Sequence, residues 1–341
     1  MTIITEQDRE RMGTIAPQLA KAVEQRAGPA VGGEHSEWRQ RRADHLAKLR
    51  HLYPIPGPIP EQVHEKMSTI QARDGYQIPI RVYKPVKAAS KPSPVIVMLH
   101  EGGWTMGDLT DEDLNCRMFA RDLGALCINV DYRLGPEHPW PKCVEDCYDV
   151  VTYIAKTASP QHSELPGDPT AGFVVGGSSA GGNLAAVMSQ MTRDDGMKPP
   201  ITGQYLSVPS LLWWDAVPEK WKSEYRSREE SVNDPLFGDK FVTHAPPNFA
   251  GEGSTDTRFN PLLHANLAGL PSCYLQVAGL DPLRDEALIY EHVLREKGVK
   301  TRLEVYDGYG HMFWTNWPEL DRSAEFVEDT LAGFKWLLGV R

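Results

Sequence analysis

The sequence predicts an α/β fold, a mostly parallel central sheet with helices on both faces. Two observations carry this expectation. From about residue 68 onward, short β-branched runs alternate with apolar-periodic segments of ten or more residues, as repeated β-then-α units require. Several of those runs are apolar throughout, the mark of strands covered on both sides. With 341 residues, 41% hydrophobic and 24% charged, the chain is long enough for one large α/β domain or two smaller ones.

Residues 1–65 stand apart from this pattern. Charged helical stretches at 6–25 and 36–52 are interrupted by Gly32-Gly33 and followed by Pro54, Pro56, Pro58 and Pro60, which marks an appended helical segment. Residues 66–341 then form the main domain. Strands are expected at 78–83, 94–99, 125–130, 172–175, 203–208, 273–278 and 302–306. Helices are expected at 111–123, 143–156, 180–193, 284–297 and 324–338, where apolar positions recur every three to four residues. Residues 211–247 break the alternation. Rich in Trp, Pro, Lys and Glu, they suit an insertion over the edge of the sheet.

Bulk properties exclude several classes. A formal net charge of -10 repels phosphate backbones and anionic lipid, so nucleic acid is not an expected partner. Charges begin at Glu6 and no continuous apolar core follows, so no membrane span is expected and the cytoplasm is the default compartment. The five cysteines, Cys116, Cys127, Cys143, Cys147 and Cys273, are odd in number and scattered. They suit reduced thiols better than a disulfide framework or a zinc ribbon. Neither His64-Glu65 nor His100-Glu101 completes H-E-x-x-H, so no metal and no cofactor is expected.

The most informative segment is GFVVGGSSAGGNLAAVM, where an apolar strand runs through Gly177-Ser178-Ser179-Ala180-Gly181 directly into a helix. This is G-x-S-x-G in the strand, turn and helix context that makes Ser179 a candidate nucleophile. Bulk at Gly177 or Gly181 would collide with the neighbouring strand and helix, and the helix start aims amides at any charge formed there. A phosphate loop is the alternative, but no Lys-Ser/Thr pair follows and G-x-G-x-x-G is missing.

A serine hydroxyl needs a base, and the base needs a group to fix its tautomer. The strand at 273–278 is followed by Gly-Leu-Asp281-Pro-Leu-Arg-Asp285, and the strand at 302–306 by Asp-Gly-Tyr-Gly-His311-Met-Phe. Open α/β sheets place functional groups at such strand ends. Asp281 is favoured over Asp285 because Asp285 falls in the first turn of the next helix, where a carboxylate also complements the dipole. Of eleven histidines, His311 alone follows a late strand in a glycine-bearing loop. Upstream, the strand at 95–99 ends in His100-Glu101-Gly102-Gly103-Trp104. Amides of Gly102 and Gly103, with that of Ala180, suit an oxyanion hole for acyl transfer.

Together these segments resemble the hormone-sensitive-lipase-like family of α/β-hydrolases, with HEGGW from His100, DYRLGPEHPWP from Asp131, GSSAGGN from Gly177, DPLRDE from Asp281 and HMF from His311. The resemblance spans about residues 75–340. It implies the α/β-hydrolase fold, a Ser179, Asp281 and His311 triad, an oxyanion hole of Gly102, Gly103 and Ala180, and a helical cap made from residues 1–65 and 211–247. It also implies a serine carboxylesterase acting on small-molecule esters with short- to medium-chain acyl groups, or on acylated metabolites. Some members act as lyases or cyclases on secondary metabolites, which is the leading alternative. A binding protein on the same scaffold is the third, but the plant gibberellin receptors that exemplify it have lost the histidine, and His311 is present. Two-fold association is common for the fold, which leaves a homodimer open by analogy.

Two positions depart from the family pattern. Glu101 replaces a glycine and is expected to keep an ordinary backbone, its side chain turned toward the cap or solvent; an acid there could also select a hydroxylated or basic substrate. Ser178 replaces the usual Asp of the elbow. Within DYRLGPEHPWP, Asp131, Arg133, Glu137 and His138 suit a structural network better than catalysis. Alongside Glu101 and Trp104, Trp213 and Trp214 are candidates for the pocket wall, with plain cap packing as the alternative.

Overall fold

A computed structural model describes residues 2–28, 35–87, 92–238 and 255–340. Eight strands form a single sheet: β1 (Val63–Gln71), β2 (Gln77–Pro85), β3 (Val95–Leu99), β4 (Leu126–Val130), β5 (Phe173–Ser178), β6 (Gly203–Ser207), β7 (Ser272–Ala278) and β8 (Thr301–Tyr306). Their order is β1-β2-β4-β3-β5-β6-β7-β8. Pairing is parallel from β4 to β8, and β2 runs antiparallel to both β1 and β4.

Strands β3, β4, β5 and β6 are buried at every position, which is why β3 (VIVML) is apolar throughout, while β6 (GQYLS) buries Gln204 and Ser207 as well. The edge strands differ. Strand β1 was not anticipated, because VHEKMSTIQ buries only Val63 and Ile70 and has no apolar rhythm of its own. A nine-residue register with β2 holds it.

Helices α4 (Asp113–Leu123), α5 (Lys142–Thr157), α6 (Ala180–Asp194), α7 (Arg284–Glu296) and α8 (Asp321–Leu337) cover the sheet. Gly124 closes α4 in the left-handed conformation at φ 63°, its amide donating to the Phe119 carbonyl, a stop that costs little only for glycine. The stretch at 6–25 forms two helices rather than one, α1 (Glu6–Gly13) and α2 (Pro17–Gln25), with Pro17 opening the second. The third N-terminal helix, α3, spans His35–Leu49.

The N-terminal segment lies over the loops that leave the carboxyl ends of the strands. Met12 O and Ala16 N bond to Gly308 N and O, each at 2.9 Å, and Tyr53 donates to the Thr315 carbonyl at 3.0 Å. The nearly buried Arg9 reaches Asp285 at 2.8 Å and the Glu224 carbonyl at 2.6 Å. Residues 211–238 pass over the same end through short 3₁₀ turns and one helical turn, Ser227–Glu230; positions 239–247 of the expected insertion lie outside the described residues. No described helix is long and apolar enough to cross a membrane.

Candidate active site

Ser179 occupies the turn between β5 and α6 with φ 53° and ψ -116°. A non-glycine residue reaches that region only when its surroundings over-determine it. Here they do: the Ser179 amide donates to Ser207 O at 2.8 Å, and its carbonyl accepts from Asn183 N at 3.0 Å. The flanking glycines are required sterically. A Cβ at Gly177 would sit 2.2 Å from the Leu99 carbonyl oxygen, and one at Gly181 1.9 Å from the same atom. This close backbone approach brings the end of β3 beside the serine turn.

His311 follows β8, in the loop Asp307–Met312. Its Nε2 lies 3.1 Å from Ser179 Oγ, and its Nδ1 lies 2.6 Å from Asp281 Oδ2. Asp281 and His311 are both buried, and Asp281 Oδ1 also accepts from Leu283 N at 2.8 Å. Burial alone would lower the His311 pKa. The charge and hydrogen bond of Asp281, with the charges of Asp234 and Glu101, outweigh it and raise the value above the usual one. Three side chains from residues 179, 281 and 311 therefore meet at one end of the sheet.

Asp285 does something else. Its two oxygens take Arg9, Arg284, and the amides of Arg226 and Ser227, so it wires α1 and the 211–238 segment to α7.

The loop after β3 carries Gly102 at φ 117° and Gly103 at φ 58°, and Gly102 O accepts from Met106 N at 3.0 Å to close a tight turn. A Cβ on Gly102 would strike Met106 O at 2.2 Å, so the turn needs glycine there. Ala180 opens α6 directly after Ser179. Glu101 is absent from the positive-φ residues, as expected, and turns toward α3, where Arg42 Nη2 meets its Oε1 at 2.8 Å. Arg42 also holds Asp111 at 3.1 Å.

Burial, then the charge of Asp111, pushes the Glu101 carboxyl up to about 7 against the pull of Arg42. Beyond it lies Glu112, raised well above the usual value by burial and by Glu101. Ser178 Oγ donates to Glu112 at 3.4 Å. A serine at 178 spares this cluster a further buried acid.

Trp104 and Trp213 pack on Phe259 at centroid distances of 5.2 and 5.6 Å, and Trp140 joins them at 5.4 Å from the same ring. Trp214 is not part of this cluster. It sits on a 3₁₀ turn with 49% of its surface exposed, because the turn points it away from the side Trp213 buries. In DYRLGPEHPWP, Arg133 binds Asp146 at 2.5 Å and lies over the Tyr76 ring, and Glu137 pairs with Arg39 of α3 at 2.7 Å. His138 packs against Tyr76 at 6.2 Å. All five cysteines are free and buried. The described residues hold no group of three or more His, Cys, Asp or Glu suited to a metal ion.

Several contributors left no trace in the sequence pattern. Arg42 is one of many charges on a polar helix, Glu112 is one of several acids before α4, and Asp234 and Phe237 lie in an aperiodic stretch. Asp234 accepts the His311 amide at 2.7 Å, and the Phe237 ring lies 4.5 Å from the imidazole. Trp140 could have been suspected from the aromatic position in DYRLGPEHPWP.

Comparison with known proteins agrees with this architecture. A family profile described as alpha/beta hydrolase fold matches residues 96–315. An AB hydrolase superfamily protein of Schizosaccharomyces pombe is 33% identical over 302 residues, 88% of this chain and 87% of that protein. Versiconal hemiacetal acetate esterase of Dothistroma septosporum is 32% identical over 288 residues, 84% of each chain. The crystal structure of a vibralactone cyclase superposes with a TM-score of 0.85 at 28% identity, covering 96% of each chain. The strand order, the serine turn and these similarities place one conclusion beyond the fold alone: the chain belongs to the α/β-hydrolase family, as an esterase-like member of its hormone-sensitive-lipase-like branch.

Proposed function

We propose that the protein is a serine carboxylesterase that hydrolyses short- to medium-chain acyl esters or acylated small metabolites through an acyl-enzyme. One observation carries the reading: the Ser179 hydroxyl, the His311 imidazole and the Asp281 carboxylate form a chain of contacts at 3.1 and 2.6 Å. With the Nδ1 proton directed to Asp281, Nε2 accepts the Ser179 proton as Oγ attacks the ester carbonyl. The amides of Gly102, Gly103 and Ala180 receive the oxyanion, where one donor is worth about 3 kcal/mol in related chemistry. His311 then protonates the leaving alcohol, and water repeats the cycle on the acyl-enzyme. The described parts of residues 1–65 and 211–247 act as the cap, with Glu101, Trp104 and Trp213 as candidates for the pocket wall and the exposed Trp214 outside it. Free buried cysteines and an acidic chain fit a reducing cytoplasm.

Ser179→Ala is expected to abolish turnover of p-nitrophenyl acetate and butyrate while the protein stays folded. Undiminished turnover by that variant would refute the assignment. The likeness to a vibralactone cyclase favours a second reading, a cyclase or lyase that uses the oxyanion hole without an acyl-enzyme. Fluorophosphonate labelling of Ser179 accompanied by ester turnover supports hydrolysis, and labelling without turnover supports the second reading.

A further inference from the structure

We propose that Asp234 is a positioning residue for His311, so that the 211–238 segment completes the active site rather than merely covering it. This rests on the reading of Ser179, His311 and Asp281 as nucleophile, base and acid.

Asp234 is buried, at 3% exposure, and both of its oxygens are engaged by backbone amides. Oδ1 accepts from Leu236 N and Phe237 N, each at 2.8 Å, which folds its own turn. Oδ2 crosses to a different part of the chain and accepts from the amide of His311 at 2.7 Å. That second contact is not needed for the local turn. It depends on Gly310, where a Cβ would lie 2.6 Å from Asp234 Oδ2 and 2.7 Å from Pro235 Cδ.

The same turn delivers Phe237, whose ring sits 4.5 Å from the imidazole at an interplanar angle of 40°. One short segment therefore supplies an acceptor for the backbone of residue 311 and an apolar wall beside its ring. Rotation of the imidazole away from Ser179 would have to displace the Phe237 ring, and a shift of the backbone that carries it would have to break the Asp234 contact.

The electrostatics run in the same direction. The charged groups acting on His311 are Asp281 from the loop after β7, Asp234 from the inserted segment and Glu101 from the loop after β3; Asp234 in turn faces Asp281 and His311. Burial, then the charge of Asp281, pushes the Asp234 carboxyl up to about 6, while the amides of Phe237 and His311 and the imidazole pull it down. When ionised, Asp234 favours the imidazolium that forms as Ser179 loses its proton.

The test uses the full chain with Asp234→Ala and Asp234→Asn. It follows kcat and KM for p-nitrophenyl butyrate, and the rate of fluorophosphonate labelling, from about pH 5 to 9. Asp234→Ala is expected to lower kcat and the labelling rate by about tenfold to a hundredfold with KM little changed, because the base loses its alignment. Asp234→Asn keeps an acceptor but loses the charge, so it is expected to recover most of kcat at high pH while the acid limb moves to lower pH. Wild-type kcat and an unmoved acid limb in Asp234→Asn would overturn the proposal, and this variant decides the matter should the alanine variant fail to fold. A rise in KM alone would also overturn it. Failure of the wild type to be labelled or to turn over ester would instead defeat the underlying esterase reading, which separates the two failures.

Discussion

Glu101→Gln isolates the most unusual group beside the candidate active site. Glu101 is 4% exposed and its carboxyl is raised from an ordinary 4.5 to about 7, chiefly by burial and next by Asp111, with Arg42 pulling the other way. The folded state therefore holds this proton more tightly than the unfolded chain does. Its contribution is least unfavourable below about pH 4.5, worsens as pH rises to about 7, and is constant beyond that. At about 1.4 kcal/mol per pH unit, the penalty on the folded state reaches about 3 kcal/mol. Glutamine keeps an oxygen for Arg42 and cannot ionise, and Arg42 retains Asp111 as its counter-charge. Urea unfolding at a series of pH values, with equal m values in both proteins, should show the variant gaining about 3 kcal/mol on the wild type between pH 4.5 and 8. Parallel profiles would mean that Glu101 ionises in the fold as it does in water, and would refute the account of a carboxyl starved of solvent and crowded by Asp111.

Three further outcomes follow from the same geometry. Gly181→Ala places a Cβ 1.9 Å from a backbone oxygen that cannot step aside, so a loss of about 3 kcal/mol or more is expected in thermal or urea unfolding, with activity lost too. Because the His311 pKa is raised, the neutral base is lost as pH falls through a value above the usual 6.5, and kcat/KM should decline there; a flat rate from about pH 5 to 9 would contradict this. Asp285→Asn removes the one carboxylate that Arg9 and Arg284 share at 2.8 Å while Glu224 and Glu230 stay beside them, so stability is expected to fall by about 1–3 kcal/mol while the acid limb of kcat/KM stays in place; a moved limb would show that Asp285, too, tunes the base.

Much of the site was legible because its parts obey local rules. Gly177 and Gly181 flank Ser179 because the turn passes within contact of β3, and a sequence records such a constraint as glycine. Asp281 and His311 follow strands β7 and β8, the first marked by a largely apolar run and the second by the alternation of TRLEVY. Glu101 kept an ordinary backbone and faced the N-terminal helices, as steric reasoning required. Strand β1 escaped notice because it buries two residues and owes its existence to pairing. Trp213 and Trp214 are indistinguishable as neighbouring tryptophans, and only the path of the chain buries one and exposes the other.

Residue order alone thus determined the fold class, seven of the eight strands and the three side chains expected to meet, since these rest on short-range rules of burial period, turn strain and strand-end placement. The tertiary structure decided what surrounds them: the Arg42 pairing of Glu101, the Ser178 contact with Glu112, and Asp234 on the His311 amide. Each of these joins residues dozens of positions apart whose burial raises the strength of every charge among them. No local pattern encodes such a partnership, because a low-dielectric neighbourhood exists only once the chain has folded.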